Sequence, residues 1–532
     1  MSSQETMSLQ ISIPTDVLCV IFDILRGSNR KSDKPSSNFN QSLCWVSEVT
    51  HVCSSWREAA LSVNFLWTHI QIDASISWAV EFARRSGKAP LHIALCCTGY
   101  LEAGDIDCMK NLLRENRQRI QGICLEGIHE WDEDEIFDAL SGATDAGDTD
   151  AGDTDALSDR GSALYPILDD VEISLYDDYS FFLPHELLHA PQLKNLSLQY
   201  CAIPDQSGTF HNLSYLCIRE TSESCSSTPF LSRALSDMPN LEILDLTLVR
   251  GEIDETSTIN FGTQLVTLPK LYRIKINGWP IKWVVPFLQM ISPGPKRTVW
   301  VSHIPVDGIK PLLLLFACIM SHTIESSSMH RLMLDFNTAD ALVCASQGRP
   351  TLCDDYNIGL TVDILRPDIW KRRRNGFNPT HSLLDGLLRR MNHQDLQILD
   401  LFHSCPLSTQ LWVKFFGQLP SLASIGIASG APHLFAALID GSEDVPVKTN
   451  VTVALPFQAL REVRVEIGRS GMYADKDMEC MLECLRKRMD LGVTLRKLSF
   501  MGAFPEPDLV NAFRGVVTQV EVSTKFIQFI GG

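Results

Sequence analysis

The chain has 532 residues, 45% of them apolar and 21% charged, with a net charge of −18 at pH 7. It exceeds the length that one globular core sustains, so several domains or a repeat array are expected. The acidic balance argues against a sequence-independent nucleic-acid binder, which needs a cationic face for phosphates. The longest apolar run, Leu312 to Met320, falls short of the roughly 17–25 residues of a bilayer span, so it reads as a buried helix and no membrane partner is expected.

Residues 1–10 form a polar tail without a signal-peptide core. Sixteen cysteines are scattered along the chain with no Cys-x-x-Cys pair. Reduced thiols and a cytoplasmic or nuclear location are expected. Cys53, Cys201 and Cys217 fall at apolar-patterned positions, where a thiol packs as a small hydrophobe.

Residues 11–72 read as a small three-helix module. Pro14 suits a first helical turn, after which Val17, Leu18, Ile21, Phe22 and Leu25 share one face. Gly27 ends this helix, and a polar loop runs on to Ser42. Val46, Val49, Cys53 and Trp56 then recur at helical spacing, followed by Ala59, Ala60, Leu61, Phe65, Leu66 and Trp67. That is more apolar surface than about sixty residues hide alone, so the module completes its burial on a partner.

These residues carry a resemblance. Ile13 to Leu18 with Ile21, Phe22 and Leu25 resembles the Leu-Pro-x-Glu-x-Leu…Ile-Phe…Leu opening of the F-box. Val49 to Ala60 is similar to its Val-Cys-x-x-Trp-Arg-x-Ala segment, and Leu66-Trp67 to the Leu-Trp close of fungal F-box-like proteins. The chain departs in having Ile13 for the usual leucine and a long loop after the first helix. The resemblance implies docking on the small Skp-family adaptor of a cullin-RING ubiquitin ligase. Ile13, Pro14, Val17, Leu18, Ile21, Phe22, Val49, Val52, Cys53, Trp56, Arg57, Leu66 and Trp67 are the adaptor-binding residues it implies. The alternative is a plain three-helix bundle packed against the rest of the chain.

Residues 73–129 hold the first strand–helix units, with a Leu-x-x-Leu-x-Leu-like phrase at Ile120/Ile123/Leu125. Residues 130–162 are strongly acidic, with no Lys or Arg from Glu130 to Asp159 and a doubled Ala-Gly-Asp-Thr-Asp. A disordered insertion is expected there, because so little apolar surface cannot offset the ordering entropy. Its carboxylates lack the spacing and the closing Glu of a calcium loop.

Residues 163–532 repeat the phrase at Leu168/Val171/Ile173, Leu193/Leu196/Leu198, Leu213/Leu216/Ile218, Leu241/Leu244/Leu246, Leu271/Ile274/Ile276, Leu396/Leu399/Leu401, Leu422/Ile425/Ile427, Leu460/Val463/Val465 and Leu495/Leu498/Phe500. The phrases suit leucine-rich repeats of about 20–29 residues, each a short strand stacking on its neighbours. Their spacing is uneven, so an irregular leucine-rich-repeat-like α/β solenoid is expected, broken across Ile281 to Ser328. A closed barrel or doubly wound sheet would need longer helices between strands. Lys371-Arg372-Arg373-Arg374 is a short basic run, read as a solvated face rather than a nuclear-localisation signal.

One enzymatic motif stands in the chain. His185-Glu186-Leu187-Leu188-His189 fits His-Glu-x-x-His, which places two zinc ligands and a general base on one helix. Pro184 and Pro191 bracket it, too closely for a rigid helix, and no third ligand follows. Phosphate-loop, dinucleotide and nucleophile-elbow motifs are absent, and Cys480 with Cys484 lacks a second pair. No catalytic residue, metal or cofactor is expected. The reading is a ligase substrate receptor, with the solenoid binding an unknown protein target. The alternatives are a non-degradative scaffold with a vestigial F-box and, remotely, a zinc peptidase.

Overall fold

The computed structural model of the chain describes residues 13–28, 46, 49–72, 76–96, 103–128, 130–141, 164–175, 181–203, 210–221, 228–249, 265–292, 298–306, 309–323, 331–336, 340–346, 358–364, 384–386, 388–389, 394–403, 407–427, 431–439, 455–467, 475–502 and 507–523. The polar tail, most of the loop after the first helix, residues 142–162 of the acidic stretch and the Lys371–Arg374 run lie outside these residues. The fold is α/β with parallel sheets, in two units. The first is Met1–Leu241 with Val249–Asp254, and the second Glu242–Leu248 with Glu255–Gly532.

The first unit opens with helices α1 (Thr15–Ser28) and α2 (Ser54–Ser62) and a 3-10 turn at Asn64–Trp67. Six strands follow and pair in parallel in this order: β1 (His69–Ile72), β2 (Leu91–Cys96), β3 (Ile120–Ile128), β4 (Asp170–Leu175), β6 (Asn195–Gln199) and β8 (Tyr215–Thr221). The two-residue strands β5 (Phe181–Phe182) and β7 (Cys201–Ala202) pair beside them. Helices α3 (Ile76–Arg85), α4 (Ala103–Asn116) and α5 (Glu130–Ser141) connect the early strands, and α6 (His185–Leu188) and α7 (Thr228–Ser236) come later.

Period-2 alternation makes one face of this sheet apolar. Ile93, Leu95, Ile123, Leu125, Val171, Ile173, Leu196 and Leu198 are all buried. The opposite face is polar. His69 and His92, in register, stack at 4.6 Å, and Gly122 beside His92 leaves room for the ring, because a Cβ there would meet Nδ1. Asp170 follows Gly122 in the same row. Its carboxyl is pushed up by burial and by the neighbouring Glu172 and Asp169.

Side chains from later residues close the helix ends. Arg119 donates to Ala83 O at 2.8 Å, Ala89 O at 3.1 Å and Ser86 Oγ at 2.7 Å, which satisfies carbonyls at the end of α3. Arg117 donates to Ala139 O and Tyr165 Oη to Leu140 O at the end of α5. Between repeats, Asn212 Nδ2 donates to Pro191 O at 2.7 Å, and Asn240 reaches back in the same way to His211 O.

The second unit begins with β9 (Ile243–Val249), β10 (Arg273–Asn277) and β11 (Thr298–Val306), parallel neighbours with α8 (Ile281–Met290) between the last two. Helix α9 (Ile309–Thr323) follows. Then come β12 (Arg331–Phe336), β13 (Asp340–Ser346) and β14 (Ile358–Ile364), an antiparallel meander inserted in reverse order. Strand β14 lies parallel to β11, and β12 parallel to β15 (Ile398–His403). Parallel pairing resumes through β15, β16 (Ser424–Ile427), β17 (Glu462–Ile467), β18 (Lys497–Gly502) and β19 (Gln519–Ser523). Helices α10 (Thr409–Phe416), α11 (Ala431–Ala437), α12 (Asp475–Asp490) and α13 (Pro507–Arg514) alternate with these strands.

An ion pair crosses β16. Arg464 Nη2 lies 2.6 Å from Asp400 Oδ1, although Gly426 stands between them in register. A Cβ on Gly426 would collide with that oxygen. Gly426→Ala is therefore expected to lower stability by about 2–3 kcal/mol, through crowding and a weakened buried pair. Denaturant midpoints check this, and in an Asp400→Ala background, where the colliding oxygen is gone, Gly426→Ala should cost less.

Four expectations are corrected. The helix drawn from Val46 through Trp56 is broken: Val46, Val49 and Thr50 are helical, but Cys53 is extended at φ −161 and exposed. The break is stabilised because Arg57 Nε donates to Thr50 O at 2.9 Å, so Cys53 does not pack inward as Cys201 and Cys217 do. The end of the 11–72 module, His69–Ile72, is the first sheet strand. The acidic insertion does not start at residue 130. Glu130–Ser141 is a helix burying Ile136, Phe137, Ala139 and Leu140, with Glu135 paired to Lys110 at 2.7 Å. The array does not break at Ile281. It continues through α8, β11 and α9, and the irregularity falls at β12–β14 instead. Leu312 to Met320 lies within α9, where Leu312, Leu315, Phe316 and Ile319 are buried. Among the described residues no helix is long and apolar enough to cross a membrane.

Candidate functional site

Helix α1 is apolar on two sides. Pro14 O accepts the Leu18 N–H at 3.1 Å and starts the helix. Leu18 and Phe22 are buried, and Phe22 meets the Trp56 ring edge-on at 5.4 Å, which joins α1 to α2. A second stripe of the same helix faces outward: Val17 is 45% exposed, Val20 59% and Ile24 61%. Offsets of three and seven place these on one line along the helix. Val52, in the turn entering α2, is 56% exposed.

The structure divides the thirteen sequence-derived residues into core, exposed and half-buried sets. Leu18, Phe22, Val49, Leu66 and Trp67 are core. Trp67 Nε1 donates to Ala60 O at 3.0 Å, its ring meets Phe82 edge-on at 4.8 Å, and the Arg85 guanidinium lies 4.5 Å over it. Pro14, Val17, Val52, Cys53 and Arg57 are exposed, while Ile13, Ile21 and Trp56 are half-buried. Sequence reasoning missed Val20 and Ile24, whereas Leu61 and Phe65, counted there among the surplus apolar residues, are 42% and 41% exposed. The signal was present as a second i, i+3, i+7 stripe, masked by the first.

The His-Glu-x-x-His motif is placed differently from a zinc peptidase site. Helix α6 is the four residues His185–Leu188, and His189 lies in the turn beyond it. Leu187 and Leu188 are buried, as their place between two strands requires. Among the described residues no group of three His, Cys, Asp or Glu side chains is arranged to hold a metal ion. Cys480 and Cys484 both lie on α12. Cys480 is exposed, whereas burial, with Cys480 alongside, pushes the Cys484 thiol up to about 11.

No protein-family profile matches the chain, and no curated protein matches it. Among solved structures, the chain is similar to the crystal structure of the Rad7 and Elc1 complex in yeast. The identity is 11%, over 78% of this chain and 88% of that one, with a TM-score of 0.29. Similarity at that level does not establish a shared fold.

Proposed function

We propose that this chain is a non-enzymatic protein-interaction adaptor, a substrate receptor that docks a Skp-family adaptor of a cullin-RING ubiquitin ligase through α1. The observation that carries the reading is the exposed Val17/Val20/Ile24 stripe, on a helix whose other side is already filled by Leu18 and Phe22. Surface helices keep one face polar, and an apolar line of this kind marks a place where another protein is received. It lies on the segment that resembles the F-box. The strand–helix repeats then supply the target-binding surface, on the polar face of their sheets.

The test is co-purification of the full chain with the Skp adaptor. Val20→Asp with Ile24→Asp is expected to weaken capture at least about a hundredfold, since two central apolar contacts are lost and two charges are desolvated. Both residues are exposed, so circular dichroism should be unchanged. Capture that survives this double substitution, or no capture by the wild type, removes the adaptor reading. The latter result leaves a scaffold independent of the ligase.

A further inference from the structure

In the second unit, the polar face of β9–β11 has one exposed sign of charge. Arg273, Lys275 and Asn277 alternate along β10 with the buried Ile274 and Ile276, so all three project from the polar face. Arg273 and Lys275 are exposed, whereas Asp245 beside them is 8% exposed. Both Asp245 oxygens are engaged, Oδ2 by Lys275 Nζ at 3.3 Å and Oδ1 by Thr247 Oγ1 at 3.3 Å. Asp245 thus positions the ammonium and offsets part of its charge from a buried side chain. One strand further, Ser302 Oγ donates to Asn277 Oδ1 at 3.0 Å, which turns the Asn277 amide into a donor for whatever lies above. Trp300 is half-buried in the same row as Lys275, and its other cross-strand neighbour is Gly359, which brings no side chain.

We propose that an extended acidic protein segment binds along β10, its alternate carboxylates meeting Arg273, Lys275 and Asn277 and its apolar or peptide surface resting on Trp300. Donors two residues apart on a strand are about 6.6–6.8 Å apart, and so are alternate side chains of an extended ligand, so the two ladders match in period. The charge complementarity is local. At physiological salt, charges act over about 8 Å, so a short segment senses Arg273 and the Lys275–Asp245 pair, net cationic, rather than the acidic chain as a whole. A nucleic acid would need many more phosphate contacts than two cations supply. The inference rests on the repeats being the target-binding part of the receptor, and it is independent of α1.

The experiment is fluorescence anisotropy of a fluorescein-labelled alternating Glu-Thr dodecapeptide with the full chain. Comparators are a peptide of six Glu then six Thr, an alternating Lys-Thr peptide and a thymidine 12-mer. The alternating acidic peptide should bind most tightly. Arg273→Glu with Lys275→Gln should weaken it about tenfold or more, and Trp300→Leu about fivefold. Arg461→Glu with Lys476→Glu, which exchanges exposed cations elsewhere, should change it less than about twofold. Thermal melts exclude misfolding, and Arg273→Gln alone serves if the double variant melts early. Absence of binding up to about 1 mM, equal loss in the control variant, equal binding of the block peptide or tighter binding of the oligonucleotide overturns the proposal. With α1-dependent adaptor capture intact, any of these results leaves the receptor reading standing.

Discussion

Arg488→Ala is expected to lower the stability of the second unit by about 3–5 kcal/mol. Arg488 is fully buried on α12 and faces carbonyls rather than a carboxylate. It donates to Leu438 O at 2.9 Å, Pro456 O at 3.1 Å and Phe457 O at 2.6 Å. One side chain therefore joins the end of α11, the turn before β17 and α12. Burial lowers its pKa to about 10, so it remains charged at neutral pH and its hydrogen bonds are charge-assisted.

The turn it holds is strained, because Phe457 adopts φ 57, a left-handed conformation, with its ring fully buried. Without the guanidinium, the Leu438 and Pro456 carbonyls lose its hydrogen bonds, Phe457 O keeps only the Leu460 N–H, and that turn loses its anchor. Arg488→Lys should be intermediate, since an ammonium cannot span all three acceptors. Arg488→Met should restore packing but not the hydrogen bonds. Urea denaturation of the four proteins checks this order, and a loss under about 1 kcal/mol for Arg488→Ala would show the clamp to be redundant.

The second large effect is at Trp67. Trp67→Ala should destabilise the first unit by about 3–5 kcal/mol, because it empties a fully buried site and releases the contacts to Ala60 O, Phe82 and Arg85. Adaptor capture should fall with it, for the different reason that α1 and α2 lose their support. Trp67→Phe should recover most of the stability. The diagnostic contrast is with Val20→Asp and Ile24→Asp, which should abolish capture at an unchanged melting temperature. If Trp67→Ala lost capture while melting like the wild type, Trp67 would itself belong to the docking surface.

The strands of the repeat phrases were legible because alternation is a local signal. Leu196 and Leu198, Ile274 and Ile276, or Val463 and Val465 point inward whatever their neighbours are. The β12–β14 meander was not legible, since antiparallel pairing is decided by the partner strand and Arg331 to Phe336 carries no distinctive phrase. Helix α5 was hidden by composition. Its acidic outer face outweighed Ile136, Phe137 and Leu140, which sit at helical spacing. At α1 the difficulty was the reverse: with apolar residues on both sides, only the position of α2 shows that Leu18 and Phe22 face in while Val20 and Ile24 face out.

The reversed meander also bears on the order of assembly during synthesis. In a simple repeat array each strand has its neighbour in place as it leaves the ribosome, so the sheet grows from the N-terminal end. Here β11 emerges beside β10, but its next neighbour is β14, at Ile358–Ile364. Strand β12 precedes both of its partners, β13 and β15. Growth of the sheet therefore waits from Val306 until β14 arrives, with an open β11 edge in the interval. Open edges template pairing with other chains, so during that stretch of translation the β11 edge is open to mispairing in a way that a simple repeat array avoids.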